Sequence, residues 1–420
     1  MELIRRQLGQ GVRLSYLPSG KFKTDMLSAN FVLPLKKETL EMDSLLGPVL
    51  RRGSERHPDM KQLSEALDLL YGAQVTPVFR RKSERCCVGF AASCINDAFV
   101  PGGGALLEST AEILGDLLLR PALEGGAFRA DYVRQEKDNL IDSIRSRIND
   151  KREWADYRLM QELCAGEPYG LSREEEAVEA ITPERLFARW QEILSTAPLE
   201  LFYCGGAPLE QVERALNHAL RGLPRTALLT LPPVLPHVCR SEVLRVNEQM
   251  DVTQGKLAMG FSCTAEDVPA MILANTLFGG SSNSKLFMNV REKLSLCYYA
   301  SSGYHRSKGL VTVSSGVEFR NFQRAYDEIM AQLQAVQRFE LEDWELPGAR
   351  STVRSAFRTY ADSQRRLEDF TLGESVSGED RLVEDYLREL ESATPERIRA
   401  AAQTMRLDTV YFLSGKEAQA

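Results

Sequence analysis

The sequence predicts a protein of the α+β class with two domains, each a mainly antiparallel sheet covered by helices on one face. Three observations support this prediction. The chain has 420 residues, which is too long for one ordinary core. Strand-like segments and long amphipathic helical patterns are segregated along each half. A proline-rich stretch near the middle separates two halves that repeat the same order of elements.

In the first half, alternation of apolar and polar residues predicts strands, and an apolar repeat of about 3.6 residues predicts helices. The predicted strands cover residues 12–17, 27–35, 75–79, 86–92 and 202–206, and the predicted helices cover 109–119, 127–148 and 155–163. Short strands combined with long helices are typical of an α+β domain.

Residues 223–237 have the composition of a linker, because four prolines interrupt any periodic pattern. We therefore predict an N-terminal domain at 1–222, a linker at 223–240 and a C-terminal domain at 241–420. Beyond the linker, the predicted strands cover 256–261, 297–304, 310–317 and 409–414, and the predicted helices cover 268–277, 285–294, 322–335 and 349–363. Because the order of elements recurs, an internal duplication is the economical interpretation.

Composition excludes several classes of protein. The formal net charge of −7, with acidic and basic residues interspersed, argues against nucleic acid as a partner. Eight cysteines without a Cys-x-x-Cys pair indicate reduced, buried thiols. The N-terminus lacks the apolar core of a signal peptide, and no apolar run approaches the length of a membrane span. We therefore expect a cytoplasmic protein with no membrane partner.

Residues 43–54, DSLLGPVLRRGS, resemble the metal-binding helix of the M16 (pitrilysin or insulinase-like) peptidases with its ligands missing. In that family the helix carries His-x-x-Glu-His and ends in a basic-Gly-Thr-type turn, which residues 52–54 match. Counting back places Ser44, Gly47 and Pro48 at the first His, the Glu and the second His. The resemblance therefore identifies this chain as a non-catalytic member of the family.

The chemistry of these residues supports that interpretation. Catalytic zinc needs three protein ligands, usually imidazole or carboxylate, and an open position for water. The hydroxyl of Ser44 is a poor ligand, and Gly47 and Pro48 have no side-chain donor at all. The family takes its last ligand from two Glu residues spaced by seven. Glu136 matches the first, but Ser143 replaces the liganding one, so we expect no metal in this chain.

The resemblance extends over nearly the whole chain. Residues 60–73 are similar to the second helix of the family, and residues 164–170 to the turn after its long central helices. The strongest match runs from 277 to 298, where a Gly-rich turn and Ser-x-Leu-Phe precede Arg-Glu-Lys-x-Gly-Leu-x-Tyr. Only the Gly of that pattern is changed, to Ser295. The resemblance implies two duplicated M16-type (LuxS/metallopeptidase-like) domains, which in the family close around a chamber for unfolded peptides.

Within this match, Arg291 and Tyr298 are the predicted catalytic residues. A guanidinium group and a phenol hydroxyl are suited to gripping a peptide carbonyl and stabilising the oxyanion formed on attack. In the family, the corresponding pair faces the zinc from the opposite chamber wall. The simpler alternative is that Arg291 pairs with Glu292 or Glu318 at the surface and that Tyr298 lies in the core.

The turn before this helix is the predicted substrate-binding segment. Gly279 and Gly280 permit a tight turn, and Ser281 and Ser282 supply hydroxyl groups beside it. At the sheet edge after the second helix, where family members pair with substrate backbone, Pro77 lacks an amide donor, so we expect that pairing to be interrupted.

Two other motifs give weaker hypotheses. His57 could anchor a displaced metal site, but Pro58 breaks the local helix and no second His lies nearby, so a surface or satisfied histidine is favoured. Residues 282–285 match Ser-x-x-Lys, the nucleophile pattern of penicillin-recognising enzymes, but its companion motifs are missing and helix capping explains the serines better.

These patterns together predict a zinc-free, catalytically inactive subunit of a heterodimeric M16 peptidase. Its partner would carry the zinc and the base, and this chain would add Arg291 and Tyr298 to the cleavage of a peptide substrate. Two alternatives stay open: a non-catalytic peptide-binding or scaffold protein of the same fold, and an independent enzyme with another nucleophile such as Ser282.

Overall fold

The computed structural model describes residues 2–415, whose contacts divide them into two units. The first unit runs to Arg145 and takes in Arg173–Pro233 and Ser363–Asp380. The second consists of Ser146–Ser172, Val234–Asp362 and the chain from Arg381 onward. The chain passes from the first unit to the second after Pro233, inside the 223–240 segment. Each unit also receives a segment from the other half of the chain, which no local sequence pattern indicates.

The strands agree closely with the alternating patterns. They are β1 (Ile4–Gly9), β2 (Val12–Pro18), β3 (Thr24–Pro34), β4 (Gln74–Lys82), β5 (Arg85–Ile95), β6 (Leu123–Glu124), β7 (Ala127–Phe128), β8 (Leu199–Gly205), β9 (Leu244–Met250), β10 (Gly255–Ser262), β11 (Cys297–His305), β12 (Leu310–Val317) and β13 (Arg406–Gly415). The sequence patterns missed β1, β9 and the two-residue strands β6 and β7.

The helices depart further from the sequence-based prediction. They are α1 (Leu40–Leu50), α2 (Met60–Leu69), α3 (Leu106–Leu119), α4 (Ala130–Ser146), α5 (Lys151–Leu163), α6 (Glu175–Glu179), α7 (Pro183–Thr196), α8 (Leu209–Ala219), α9 (Val268–Phe278), α10 (Phe322–Arg338), α11 (Glu345–Arg358), α12 (Gln364–Ser377), α13 (Val383–Ser392) and α14 (Pro395–Gln403). The predicted helix at 285–294 is a π-helix over Leu286–Lys293. None of the described helices has the length and apolarity needed to cross a lipid bilayer.

The two sheets share one topology. The first is ordered β1-β2-β8-β3-β5-β4, and the second is ordered β11-β12-β10-β13-β9. The five strands β2-β8-β3-β5-β4 correspond to β9-β13-β10-β12-β11. In both sets the first strand in the chain lies beside the last, followed by the second, the fourth and the third. In both, only the pair of first and last strands is parallel (β2 with β8, and β9 with β13). The prediction of mainly antiparallel α+β domains is confirmed, and the shared order supports the predicted duplication.

The prediction that helices cover only one face of each sheet is wrong. In the first unit, α12 packs on β3, and its buried Glu368 accepts a hydrogen bond from Asn30 Nδ2 at 3.2 Å and pairs with Arg80. In the second unit, α5 packs on β10 and β13, and Glu248 accepts from the indole of Trp154 at 3.2 Å. The exchanged helices satisfy polar groups on these faces, so they are integral to the units that receive them.

Close backbone packing gives a test with two matched substitutions in the first unit. A Cβ at Gly115 of α3 would lie 2.2 Å from the carbonyl oxygen of Ala219 in α8, whereas one at Gly373 of α12 meets only the Lys82 Nζ, at 3.7 Å. Gly115→Ala should therefore destabilise the protein by about 1–3 kcal/mol, although alanine favours helices. Gly373→Ala should be neutral or stabilise by up to about 1 kcal/mol. Urea unfolding that gave both variants the same sign of change would contradict this packing.

Thiol burial gives a second test. Seven of the eight cysteines are buried, and Cys239 is half-buried. Burial raises the pKa of Cys87, Cys94 and Cys204 to about 12, so almost no thiolate forms on them at pH 8. At that pH a thiol reagent should modify one cysteine rapidly in the native protein and eight after denaturation. Fast modification that persists in Cys239→Ser would show that a second thiol is open to solvent.

Candidate functional site

Helix α1 carries the three positions at which the family's zinc motif is replaced; Ser44 and Gly47 are buried and Pro48 is half-buried. Ser44 is buried, and its hydroxyl donates to the carbonyl of Glu41 at 3.0 Å. Gly47 faces the sheet, where a Cβ would lie 3.0 Å from the Cβ of Pro77 in β4. Pro48 lies inside the helix. The space that a Glu at position 47 would enter is therefore partly taken by Pro77, and no donor set for zinc is present.

The carboxylates on α1 are bound to internal partners. Asp43 is buried and forms an ion pair with the Nε of Arg189 at 2.8 Å, and it accepts from the hydroxyl of Thr39 at 2.9 Å. Burial raises the pKa of Asp43, with the Arg189 guanidinium opposing the shift. Glu41 accepts from the backbone N–H of Glu174 at 3.1 Å. These side chains hold the helix in place and offer no open metal position.

The downstream Glu position has also become structural. Glu136 in α4 pairs with Arg52, which comes from the turn that matches the family's basic-Gly-Thr signal. The Asn139 side chain donates to the same carboxylate at 3.2 Å. Ser143, which replaces the liganding Glu, lies in the last turn of α4 and supplies only a hydroxyl. All four predicted positions therefore lie on α1 and α4 without a zinc ligand among them.

One other group in residues 2–415 has the spacing of a metal site. Donor atoms of Cys164, Glu167 and His237 in the second unit lie within 4.8 Å of one another. The carboxylate of Glu167 is already 2.6 Å from both the Lys308 ammonium and the His237 Nδ1. Burial raises the pKa of the Cys164 thiol to about 12. We interpret the group as an internal ion-pair network, because a metal would have to displace the lysine.

Sequence reasoning did not connect these three residues, since His237 lies far from 164–167 along the chain. His57, the histidine weighed as a displaced ligand, is half-buried in the turn after α1, where its backbone N–H donates to the Ser54 hydroxyl at 3.1 Å. It belongs to no group of three or more metal-ligand side chains within the described residues.

Arg291 lies on the π-helix, where the N–H of Leu294 donates to the carbonyl of Asn289 at 3.1 Å. Such i to i+5 segments are rare and often occur at functional sites. The guanidinium carbon of Arg291 is 4.5 Å from the ring centroid of Phe287, and its Nε is 3.5 Å from Glu292. The contact with Glu292 is long and exposed, so it holds the side chain weakly.

A β-bulge places the two tyrosines that follow. Cys297 pairs with Val317 and Ala300 with Ser315, so residues 298 and 299 together oppose Gly316. Tyr298 is 65% exposed, whereas the ring of Tyr299 lies where a side chain at Gly316 would be, 2.6 Å from its ideal Cβ position. Tyr298 is therefore open to solvent and not in the core.

Ser295 shows why the family has Gly before this strand. Its φ of +50° lies in the left-handed region that favours glycine. The chain keeps a left-handed turn here although the residue is changed, and this turn joins the π-helix to β11.

A cavity of about 310 Å³ beside the π-helix brings together most of the predicted site residues of the second unit. The predicted members are Gly279, Gly280, Ser281, Ser282 and Arg291, and they are joined by Arg152, Phe287, Tyr299 and residues 300–302. Tyr298 is not among the lining residues.

The glycine turn follows from close packing. A Cβ at Gly279 would lie 2.7 Å from both Leu286 Cδ1 and the Ser302 hydroxyl. Arg152 and Tyr299 were not predicted as site residues. Arg152 comes from α5, which tertiary packing alone brings to this sheet, and the bulge that turns Tyr299 inward has no sequence signal.

Comparisons with known proteins agree with this architecture. A family model described as the peptidase M16 inactive domain matches residues 180–353. The chain is 34% identical over 414 residues to the probable inactive metalloprotease YmfF of Bacillus subtilis, covering 97% of this chain and 96% of that protein. It is also 23% identical over 168 residues to the uncharacterized zinc protease YmxG of the same species, covering 38% of this chain and 41% of that protein.

Solved structures show the same fold over the full length. A conserved protein from Enterococcus faecalis V583 has a TM-score of 0.89 at 24% identity, with 99% of both chains covered. A peptidase M16 inactive domain from Pseudomonas fluorescens has a TM-score of 0.80 at 15% identity, with 100% of both chains covered. The chain therefore belongs to the M16 peptidase family, as a member that lacks the zinc-binding His-x-x-Glu-His motif.

Proposed function

We propose that this chain is the zinc-free subunit of a heterodimeric M16 peptidase and supplies transition-state residues to a zinc-bearing partner. The observation that carries the proposal is an asymmetry. None of the four metal positions offers a zinc ligand, and Ser44 and Gly47 are buried, whereas Arg291 and Tyr298 remain exposed, at 40% and 65%. Both side chains are open to solvent, where a peptide or a partner subunit could reach them.

The division of chemistry follows from what each subunit offers. The partner's zinc and carboxylate would activate water, which this chain cannot do. Arg291 and Tyr298 would donate hydrogen bonds to the peptide carbonyl as negative charge develops on its oxygen. The cavity beside Arg291, with the glycine turn at 279–280 and the hydroxyls of Ser281 and Ser282, would hold the peptide near these donors.

The relatives support the existence of such pairs. Bacillus subtilis holds both a probable inactive metalloprotease and a zinc protease similar to this chain. The ferredoxin protease FusC, solved as a mutant in complex with Arabidopsis ferredoxin, has a TM-score of 0.71 at 14% identity; the match covers 99% of this chain but 45% of that one. More than half of that protease thus lies outside the match, which leaves room for a second, complementary half within one polypeptide.

The edge strand of the first unit is poorly suited to pairing with the backbone of a substrate peptide. Strand β4 is the edge of its sheet, and Pro77 within it has no N–H to donate to a peptide. We infer that the partner provides any strand pairing with substrate. We also place the complex in the cytoplasm, because unpaired thiols such as these persist in reducing compartments.

Mixing experiments test the shared site. The purified chain and its zinc-bearing partner should hydrolyse peptides only together. Arg291→Ala and Tyr298→Phe should each lower kcat/KM of the mixture by about 10²–10³-fold, because each removes a donor to the oxyanion. Assembly, measured by analytical ultracentrifugation, should be unchanged. Controls are Arg320→Ala and Tyr71→Phe, which make the same changes at other exposed positions, where Arg320 is 83% and Tyr71 is 57% exposed.

Unchanged turnover in the Arg291 and Tyr298 variants would contradict the shared site. It would favour a peptide-binding or scaffold role for the same fold. Hydrolysis by this chain alone that is lost in Ser282→Ala would instead favour an independent nucleophile.

Metal content gives a separate check. After incubation with zinc and desalting, this chain should retain far less than one equivalent of zinc, and its unfolding midpoint should not respond to a chelator, because no donor set stands at Ser44, Gly47, Pro48 and Ser143. Elemental analysis that found one zinc per chain would contradict this expectation. Loss of that zinc in Cys164→Ser would then assign it to the group at Cys164, Glu167 and His237.

A further inference from the structure

Arg152 brings a second guanidinium group to the cavity of Arg291. It lies in the first turn of α5, and its guanidinium carbon is 4.1 Å from the ring centroid of Tyr299. Its Nη2 donates to the hydroxyl of Ser301 at 3.3 Å. The stacked ring and this hydrogen bond orient the planar guanidinium toward the cavity, and an arginine has further N–H donors beyond the one that Ser301 uses.

The charge of the cavity is one-sided. Arg152 and Arg291 line it, and no acidic side chain does. Within the described residues, Arg152 has no carboxylate oxygen within ion-pair distance, and Arg291 has only the exposed contact with Glu292 at 3.5 Å. Asp150, Glu153 and Asp156 flank Arg152 along the helix, and none of them lines the cavity. Asp150 caps the helix, since it accepts the N–H of Arg152 at 2.9 Å and of Glu153 at 3.1 Å.

The remaining lining completes a site of suitable chemistry and size. The hydroxyls of Ser281 and Ser282 and the ring of Phe287 surround the two cations. A volume of about 310 Å³ suits one side chain or a chain terminus and not a folded partner. A larger cavity on the other side of Arg152, of about 780 Å³, contains Asp150 and Asp251 as well as Lys151 and Lys256, so its charges are mixed. An anion is favoured only in the smaller cavity.

We propose that this cavity binds a carboxylate of the peptide, with Arg152 as the specificity-determining residue. The planar guanidinium matches a carboxylate with two parallel hydrogen bonds. The carboxylate would belong to an Asp or Glu side chain or to the peptide's own C-terminus, since both present the same group. The proposal rests on the proposed function, because it takes a peptide as the ligand of this site, and it deepens that function by naming the preferred substrate class.

Direct binding to this chain alone tests the preference. Four octapeptides of Ala, Ser and Leu, each with the same uncharged fluorescent label, would be compared by anisotropy. Two carry a single Glu or Gln and end in an amide, and two have no ionisable side chain and end in a free carboxylate or an amide. We expect the Glu peptide, the free-carboxylate peptide, or both to bind about ten-fold more tightly than the matched neutral peptide at low salt. The pair of peptides with the larger ratio of affinities shows whether the site prefers a side-chain carboxylate or the C-terminal one.

Arg152→Gln should bring that ratio close to one, Arg152→Lys should retain part of it, and Arg320→Gln, which removes the same charge from an exposed position in the same unit, should leave it unchanged. Thermal unfolding would confirm that each variant is folded. Equal binding of charged and neutral peptides, no binding of the carboxylate peptides, or a ratio that survives Arg152→Gln would overturn the inference.

Failure of the shared catalytic site and failure of the carboxylate preference would give different results. If the mixture with the zinc-bearing partner does not hydrolyse peptides but the binding ratio depends on Arg152, the shared catalytic site fails while the carboxylate preference stands. If hydrolysis depends on Arg291 and Tyr298 but the binding ratio is one, only the preference fails.

Discussion

An extra residue in β11, opposite Gly316, controls which aromatic side chain of this chain meets solvent and which packs against the helix carrying Arg152. In a regular strand, successive side chains point to opposite faces of the sheet. The bulge breaks that alternation where the π-helix delivers Arg291. Tyr298 is left exposed, and Tyr299 stacks on Arg152 and lines the cavity that both arginines share.

The helices that carry the family's zinc-binding positions are ordered here and serve as structural elements. Asp43 is bound to Arg189, Glu136 is bound to Arg52, and Pro77 stands against Gly47. Breaking a buried pair of this kind leaves an uncompensated charge, which costs several kcal/mol. These contacts make α1 and α4 structural elements, and restoring the ligands one at a time would not create a metal site.

The exchanged segments explain how distant parts of the chain meet. Helix α5 comes from the first half and supplies Arg152 to the second unit, and α12 comes from the second half and supplies Glu368 to the first. Both helices carry buried polar contacts as well as apolar ones, so neither sheet face would be satisfied without its donated helix. Each unit of the duplication therefore contains a helix from the other half of the chain.

The sequence by itself determined the class of fold, most strands, the duplication and the loss of the metal ligands, because alternation, periodicity and donor chemistry are local properties. Through a contiguous motif it also predicted Arg291, Tyr298 and the turn at 279–282 as candidate site residues. Only the tertiary structure decided that Arg152 and Tyr299 line the same cavity and that Cys164, Glu167 and His237 lie together. It also decided that α5 belongs to the second unit and α12 to the first. These contacts join residues far apart in the chain, and long-range packing leaves no periodic signal from which they could be read.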